Sequence, residues 1–238
     1  MKRWPLQAAS FYYISAVTGK NRIRMVSNYN YIVIEGNIGA GKTSLASRIA
    51  ADFNARLITE RFADNPFLPK FYDDPEKYSF PLELSFLAER YRQLKEELTS
   101  QDLFKAFSVS DYYFMKSLIF ASSTLGGDEY ALYRQIFGII YTSVPRPDLY
   151  VYLHADTSRL LENIMLRGRE YEKSITAEYL KSIQDGYFNF FRQNADMKYL
   201  VLDINAIDFV NSKRDYDLIL EHIFSKTYEE GISRSILI

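Results

Sequence analysis

The segment Gly36-Asn37-Ile38-Gly39-Ala40-Gly41-Lys42-Thr43 fits G-x-x-x-x-G-K-[ST], and this pattern constrains the chain more than any other feature of it. Such a loop works only between the end of a strand and the start of a helix. The apolar run Tyr31 to Glu35 precedes it, and Lys42 to Phe53, with apolar residues three and four apart, follows it. The glycines let backbone N–H groups turn inward around phosphate oxygens, and the helix amino terminus adds partial positive charge. Lys42 would reach the β- and γ-phosphates, and the Thr43 hydroxyl would be a ligand for Mg²⁺. The loop therefore predicts a triphosphate donor, ATP with Mg²⁺, held by residues 36 to 43.

The remaining pattern extends that strand and helix into a repeating order. Short apolar runs read as strands at Tyr31 to Glu35, Arg56 to Thr59, Ala106 to Ser110, Leu149 to His154 and Tyr199 to Asp203. Amphipathic stretches between them read as helices at Lys42 to Phe53, Ser79 to Leu98, Tyr112 to Phe120, Glu129 to Thr142, Thr157 to Leu166, Ala177 to Asn194 and Arg214 to Ser225. Pro66, Pro69 and Pro75 mark an irregular link after the second strand. The expected fold is α/β: a P-loop fold with a five-stranded parallel sheet and helices on both faces. Residues 29–238 read as one domain. Residues 1–28 read as a flexible leader or, with Met25 as the true start, a gene-model extension.

A net charge of -1 and a pI near 6.2 leave no global basic field for a nucleic-acid backbone, so a polynucleotide partner is not expected. With zero cysteines and only His154 and His222, thiol chemistry and a histidine-cysteine metal site are excluded, and proton transfer falls to carboxylates. No apolar run approaches the roughly 20 residues of a membrane span, and the amino-terminal stretch, interrupted by Gln7, Ser10, Tyr12 and Tyr13, is a poor secretory signal. The expected location is the cytoplasm.

In open α/β sheets ligands bind beyond the carboxyl ends of the strands, so residues that follow strands carry the chemistry. Glu60 closes the second strand, expected beside the first, where it could accept a proton from an attacking hydroxyl; the alternative is a surface ion pair with Arg61 or another cation. Asp111 ends the third strand, where it could hold Mg²⁺ at the substrate, cap the helix that follows, or do both. Arg167 and Arg169 flank Gly168 between two helices, where they either close over a transferring phosphoryl group or complement a helix carboxyl end.

Taken together, Tyr31 to Thr43, the run Thr59-Glu60-Arg61-Phe62-Ala63-Asp64-Asn65-Pro66-Phe67-Leu68 and the Arg167 to Glu172 segment resemble the deoxyribonucleoside kinase family, its bacterial deoxyadenosine and deoxyguanosine kinase branch above all. The resemblance implies ATP-dependent phosphorylation of a deoxynucleoside 5′-hydroxyl, with a purine favoured, and a homodimer formed by helix packing. It further implies Glu60 as the base, Arg167 and Arg169 as lid cations alongside Lys42, and Tyr72 and Glu172 on the sugar 3′-hydroxyl. Glu83 falls where many relatives use Gln to read the base edge, with Phe80, Phe86 and Phe114 as candidate stacking partners. One departure stands out: relatives carry an acidic-Arg-Ser triplet after the third strand, whereas this chain reads Ser110-Asp111-Tyr112-Tyr113. Lys116 or Arg90 would have to replace the missing arginine. Two rivals are a nucleoside monophosphate kinase of the thymidylate kinase type and an ATP-binding switch module.

Overall fold

The computed structural model describes residues 29–61, 65–99 and 104–238, so the leader and Phe62, Ala63 and Asp64 lie outside the described residues. The alternating apolar and amphipathic stretches become β1 (Tyr31–Gly36), α1 (Lys42–Phe53), β2 (Arg56–Ile58), α2 (Leu68–Asp73), α3 (Pro75–Thr99), β3 (Ser108–Ser110), α4 (Lys116–Thr124) and α5 (Gly127–Tyr141). Then follow β4 (Leu149–His154), α6 (Thr157–Arg167), a 3-10 turn (Glu170–Glu172), α7 (Ala177–Gln193), β5 (Lys198–Asp203), α8 (Lys213–Phe224) and β6 (Gly231–Ile236). The strands form one sheet in the order β2-β3-β1-β4-β5-β6, parallel throughout.

Because successive side chains of a strand face opposite ways, the sheet divides its core into two layers of different chemistry. Ile32, Ile34, Val151, Leu153, Leu200 and Leu202 meet apolar residues of α1, α6 and α8 in an aliphatic layer. Tyr31, Val33, Tyr150, Tyr152, Tyr199 and Val201 meet α3, α4, α5 and α7 on the other side. There rings pack on rings, as where Phe191 lies 4.4 Å from Tyr199 and 5.4 Å from Tyr150. Among the described residues, more than half of the tyrosines and phenylalanines pack in or against this second layer.

Four expectations need correction. The sheet has six strands, not five: in β6 the exposed positions are Ile232, Arg234 and Ile236 while Ser233 and Ser235 are half-buried, the reverse of the apolar-inward pattern. That segment is recruited by backbone pairing with β5, which hydropathy does not register. The proline-marked link contains α2, with Pro69 in its first turn, where a missing N–H costs nothing. The fourth helix begins at Lys116, not Tyr112, because Tyr112 to Met115 are wholly buried in a tight turn through which Lys116 N bonds back to Tyr113 O at 3.0 Å. Finally, β3 lies between β2 and β1, so Glu60 is not beside the strand that delivers the loop. Among the described residues, no helix is long and apolar enough to cross a membrane.

Candidate active site

The phosphate loop sits where its pattern requires, between β1 and α1. Gly39 and Gly41 have φ of +84° and +82°, in the left-handed region. A Cβ on Gly39 would stand 2.7 Å from the Leu160 carbonyl oxygen, and one on Gly41 2.7 Å from the ring of Phe209. The wall of α6 and the segment after β5 thus leave room for backbone alone. Asn37 ties the loop to α7: its amide donates to the Leu180 carbonyl at 2.6 Å, and its Oδ1 accepts from Ile38 N at 2.8 Å. Lys42 folds back over the loop, with Nζ 2.8 Å from the Asn37 carbonyl. Burial, then the neighbouring charge of Lys116, push the Lys42 ammonium down to about 8.

The ends of β2 and β3 meet at Asp111. Its Oδ1 accepts from Glu60 N at 2.8 Å, and its Oδ2 accepts from the Thr43 hydroxyl. Asp111 therefore joins β3 to both the loop and the Glu60 backbone and does not cap the following helix. Mg²⁺ is commonly held by one or two protein oxygens together with phosphate oxygens. Thr43 and Asp111, side by side at the head of α1, suit that pattern.

The Glu60 side chain is clasped by two buried cations. Arg90 of α3 donates from Nε at 2.8 Å and from Nη2 at 2.6 Å to Oε1, while Lys116 of α4 donates to Oε2 at 2.5 Å. Burial alone would raise the Glu60 carboxyl, but Lys116 and Arg90 outweigh it and hold it at about 2. The surface pair with Arg61 does not form; Arg61 instead lies 3.6 Å from Glu97. Arg90 and Lys116, named from the sequence only as substitutes for a missing arginine, both stand at Glu60. A further carboxylate missed in the sequence, Glu35, is fully buried beneath the loop and accepts from Tyr187 Oη at 2.9 Å and Tyr113 N at 3.0 Å. Burial raises its pKa.

From the phosphate loop and Glu60 a cleft continues between α2, α3, α4 and α7, lined by Tyr72, Glu83, Phe86, Phe120 and Tyr179. Of the three expected stacking rings only Phe86 lines it: Phe114 is spent in the core against Phe137, with ring centroids 4.9 Å apart, and Phe80 packs at the margin of that core. Phe120, four residues after Lys116 on α4, takes a place the sequence reading missed. On the opposite rim Glu172 is buried and accepts from Arg167 Nη2 at 2.5 Å, Arg167 Nε at 3.1 Å and Arg169 Nη1 at 3.2 Å. The expected lid cations and the expected sugar ligand are thus one cluster, and all three line the same cleft as Tyr72.

The deoxynucleoside kinase family profile matches residues 32–228. Deoxyguanosine kinase of Bacillus subtilis is 36% identical over 199 residues, covering 81% of this chain and 95% of the relative. Deoxyadenosine kinase of Dictyostelium discoideum is 33% identical over 189 residues, 77% of this chain and 75% of that one. A solved structure of deoxyadenosine kinase from M. mycoides, with the products dCMP and a flexible dCDP bound, superposes with a TM-score of 0.71 at 25% identity, over 82% of this chain and 100% of that one. A phosphate loop, a caged carboxylate at the next strand ends and an aromatic cleft beyond them, along a match spanning most of the chain, place it in the deoxynucleoside kinase family.

Proposed function

We propose that this chain transfers the γ-phosphoryl group of ATP to the 5′-hydroxyl of a deoxyribonucleoside, preferably a purine, giving the 5′-monophosphate and ADP. The observation that carries this reading is the cleft that joins Lys42 and Thr43, at the phosphate loop, to Glu60 and then to an aromatic slot ending at Glu83. In the transfer, the 5′-oxygen bonds to the γ-phosphorus as the bond to the β-bridging oxygen breaks, and the hydroxyl proton passes to Glu60. The loose transition state places little demand on the base, which aligns the hydroxyl and takes its proton late, so an ion-paired carboxylate is adequate. Lys42, Arg90, Lys116, Arg167 and Arg169 offset charge on the phosphoryl oxygens. Thr43 and Asp111 would hold Mg²⁺, which would supply positive charge to offset that of the phosphates. Tyr72 and Glu172 take the sugar 3′-hydroxyl.

The test is transfer from labelled ATP to the four deoxynucleosides, their ribose counterparts, their 3′-deoxy analogues and their 5′-monophosphates. Product from deoxynucleosides is expected. Product from monophosphates alone would instead make the chain a monophosphate kinase, and ATP turnover without any acceptor would make it a switch module. In the same assay Tyr72→Phe should lower kcat/KM for a 3′-hydroxyl substrate by roughly tenfold, from one lost hydrogen bond, and leave the 3′-deoxy analogue unchanged. Equal losses on both would remove Tyr72 from the sugar site.

The chain is also proposed to form a homodimer through α5, whose Leu132 and Ile139, 48% and 79% exposed, lie two turns apart on one outer face. Sedimentation velocity should give about twice the 27.8 kDa chain mass, and Ile139→Glu should shift it to the monomer. A monomeric wild type would remove the proposal.

A further inference from the structure

Among the described residues that line the cleft, the Glu83 carboxylate has a fully buried side-chain oxygen without a hydrogen-bond partner. Glu83 is 2% exposed; its Oε1 accepts from the Thr124 hydroxyl at 3.0 Å, and its Oε2 is buried without a hydrogen-bond partner. A buried carboxylate oxygen left unpaired is costly, so a side chain that lines a ligand cleft in this state points to a partner on the ligand. Helix geometry says which part of the ligand. Glu83 and Arg90 are seven residues apart on α3, hence on the same face and about 10 Å apart along the axis. Arg90 marks the reacting end by its bonds to Glu60, and Phe86 lies between them with the Arg90 guanidinium 4.8 Å above its ring. A nucleoside with its 5′-hydroxyl at Glu60 would span this distance and present its base edge to Glu83.

Resting on the nucleoside kinase reading, we infer that Glu83 determines base specificity through its ionisation: as a carboxylate it selects guanine, and as a carboxylic acid it selects adenine. Guanine offers two neighbouring donors, N1–H and the 2-amino group, which suit an acceptor-only carboxylate. Adenine offers a donor beside an acceptor, N6–H₂ with N1, which requires one donor and one acceptor in return and therefore the protonated acid.

The surroundings place this switch near neutrality. Burial, eased by the Arg90 charge and the Thr124 hydroxyl, pushes the Glu83 carboxyl up to about 7. The charged and titratable groups facing it are Arg90 on its own helix, Lys116 on α4, Tyr133 on α5, Tyr179 on α7 and Glu60 at the end of β2. The tyrosines are raised by burial and stay neutral, while Glu60, held at about 2, stays ionised. Lys42 and Glu35 serve both substrates alike, so their titrations cancel in a ratio of the two.

The experiment is kcat/KM for deoxyguanosine and deoxyadenosine from pH 6 to 8.5, for wild type and Glu83→Gln, with melting temperature as a folding control. The deoxyguanosine to deoxyadenosine ratio of wild type should rise with pH, by up to about tenfold per unit, since each substrate draws on one protonation state. Glutamine has one donor and one acceptor at every pH, so Glu83→Gln should flatten the ratio and move it towards deoxyadenosine by about ten- to a hundredfold. Deoxyinosine, which lacks the 2-amino donor, should trail deoxyguanosine in wild type at pH 8.5 and draw level in Glu83→Gln. A flat wild-type ratio, or an unchanged preference in a folded Glu83→Gln, would overturn the inference while leaving the kinase reading intact. No transfer to any nucleoside at any pH would overturn both.

Discussion

Glu60→Gln should lower kcat/KM for the nucleoside by about 10²–10⁴ while ATP binds as tightly as before or tighter. The glutamine keeps the shape of the side chain but can no longer accept the hydroxyl proton. It also leaves Arg90 and Lys116, 3% and 7% exposed, without the carboxylate between them, so both cations become more available to phosphate oxygens. The same imbalance should cost stability, since removing one member of a buried ion cluster typically costs about 3–5 kcal/mol. The pH dependence of that contribution has a definite sign. The Glu60 carboxyl lies at about 2 in the folded chain against an ordinary 4.5, so its stabilisation is present above pH 4.5 and lost as the pH falls towards 2. Single-turnover transfer, ATP titration and melting between pH 2.5 and 7 separate these effects. Near-normal transfer in the variant would remove Glu60 as the base.

Lys42→Met should lower kcat/KM for ATP by at least about 10²–10³, since it deletes a fixed cation from the site where phosphate charge accumulates. A subtler effect accompanies this. With its ammonium pushed down to about 8, Lys42 is charged at pH 7 and largely neutral at pH 9. If only the ammonium form holds the phosphates, wild-type ATP affinity falls by up to about tenfold between pH 7 and pH 9. The bound triphosphate favours the charged form, so binding at pH 8.5 should take up protons, read as a buffer-dependent heat in calorimetry. Lys42→Met should bind weakly with no such uptake. Proton-neutral binding by wild type would mean the loop lysine is fully charged before ATP arrives.

Residues joined by short stretches of chain were the easiest to place. The phosphate loop is local: one strand end, one glycine-rich turn and one helix start define it, and α1 and β4 begin and end where periodicity puts them. Asp111 and Glu60 were legible as strand-terminal acids because a parallel sheet delivers its carboxyl ends to one edge. Arg90 lies 30 residues from Glu60 and Lys116 56 residues away, on α3 and α4. Nothing in their own neighbourhoods marks either as a partner of that acid. Phe114 and Phe120 show the same limit in another form. Both are rings on the segment after β3, and only the start of α4 at Lys116 decides which enters the core and which faces the cleft.

By itself the sequence determined an α/β chain with a phosphate loop, acids at the strand ends and an arginine pair at the end of α6. These follow from periodicity, glycine placement and motif spacing, all short-range properties of the chain. Only the tertiary structure decided that β3 separates β2 from β1, that β6 joins the sheet edge, and that Glu60 is held between two buried cations. It alone showed Glu83 keeping one oxygen unpaired in the cleft. Strand order, burial and charge pairing depend on residues far apart in sequence, and their energies arise only when packing removes water from between them.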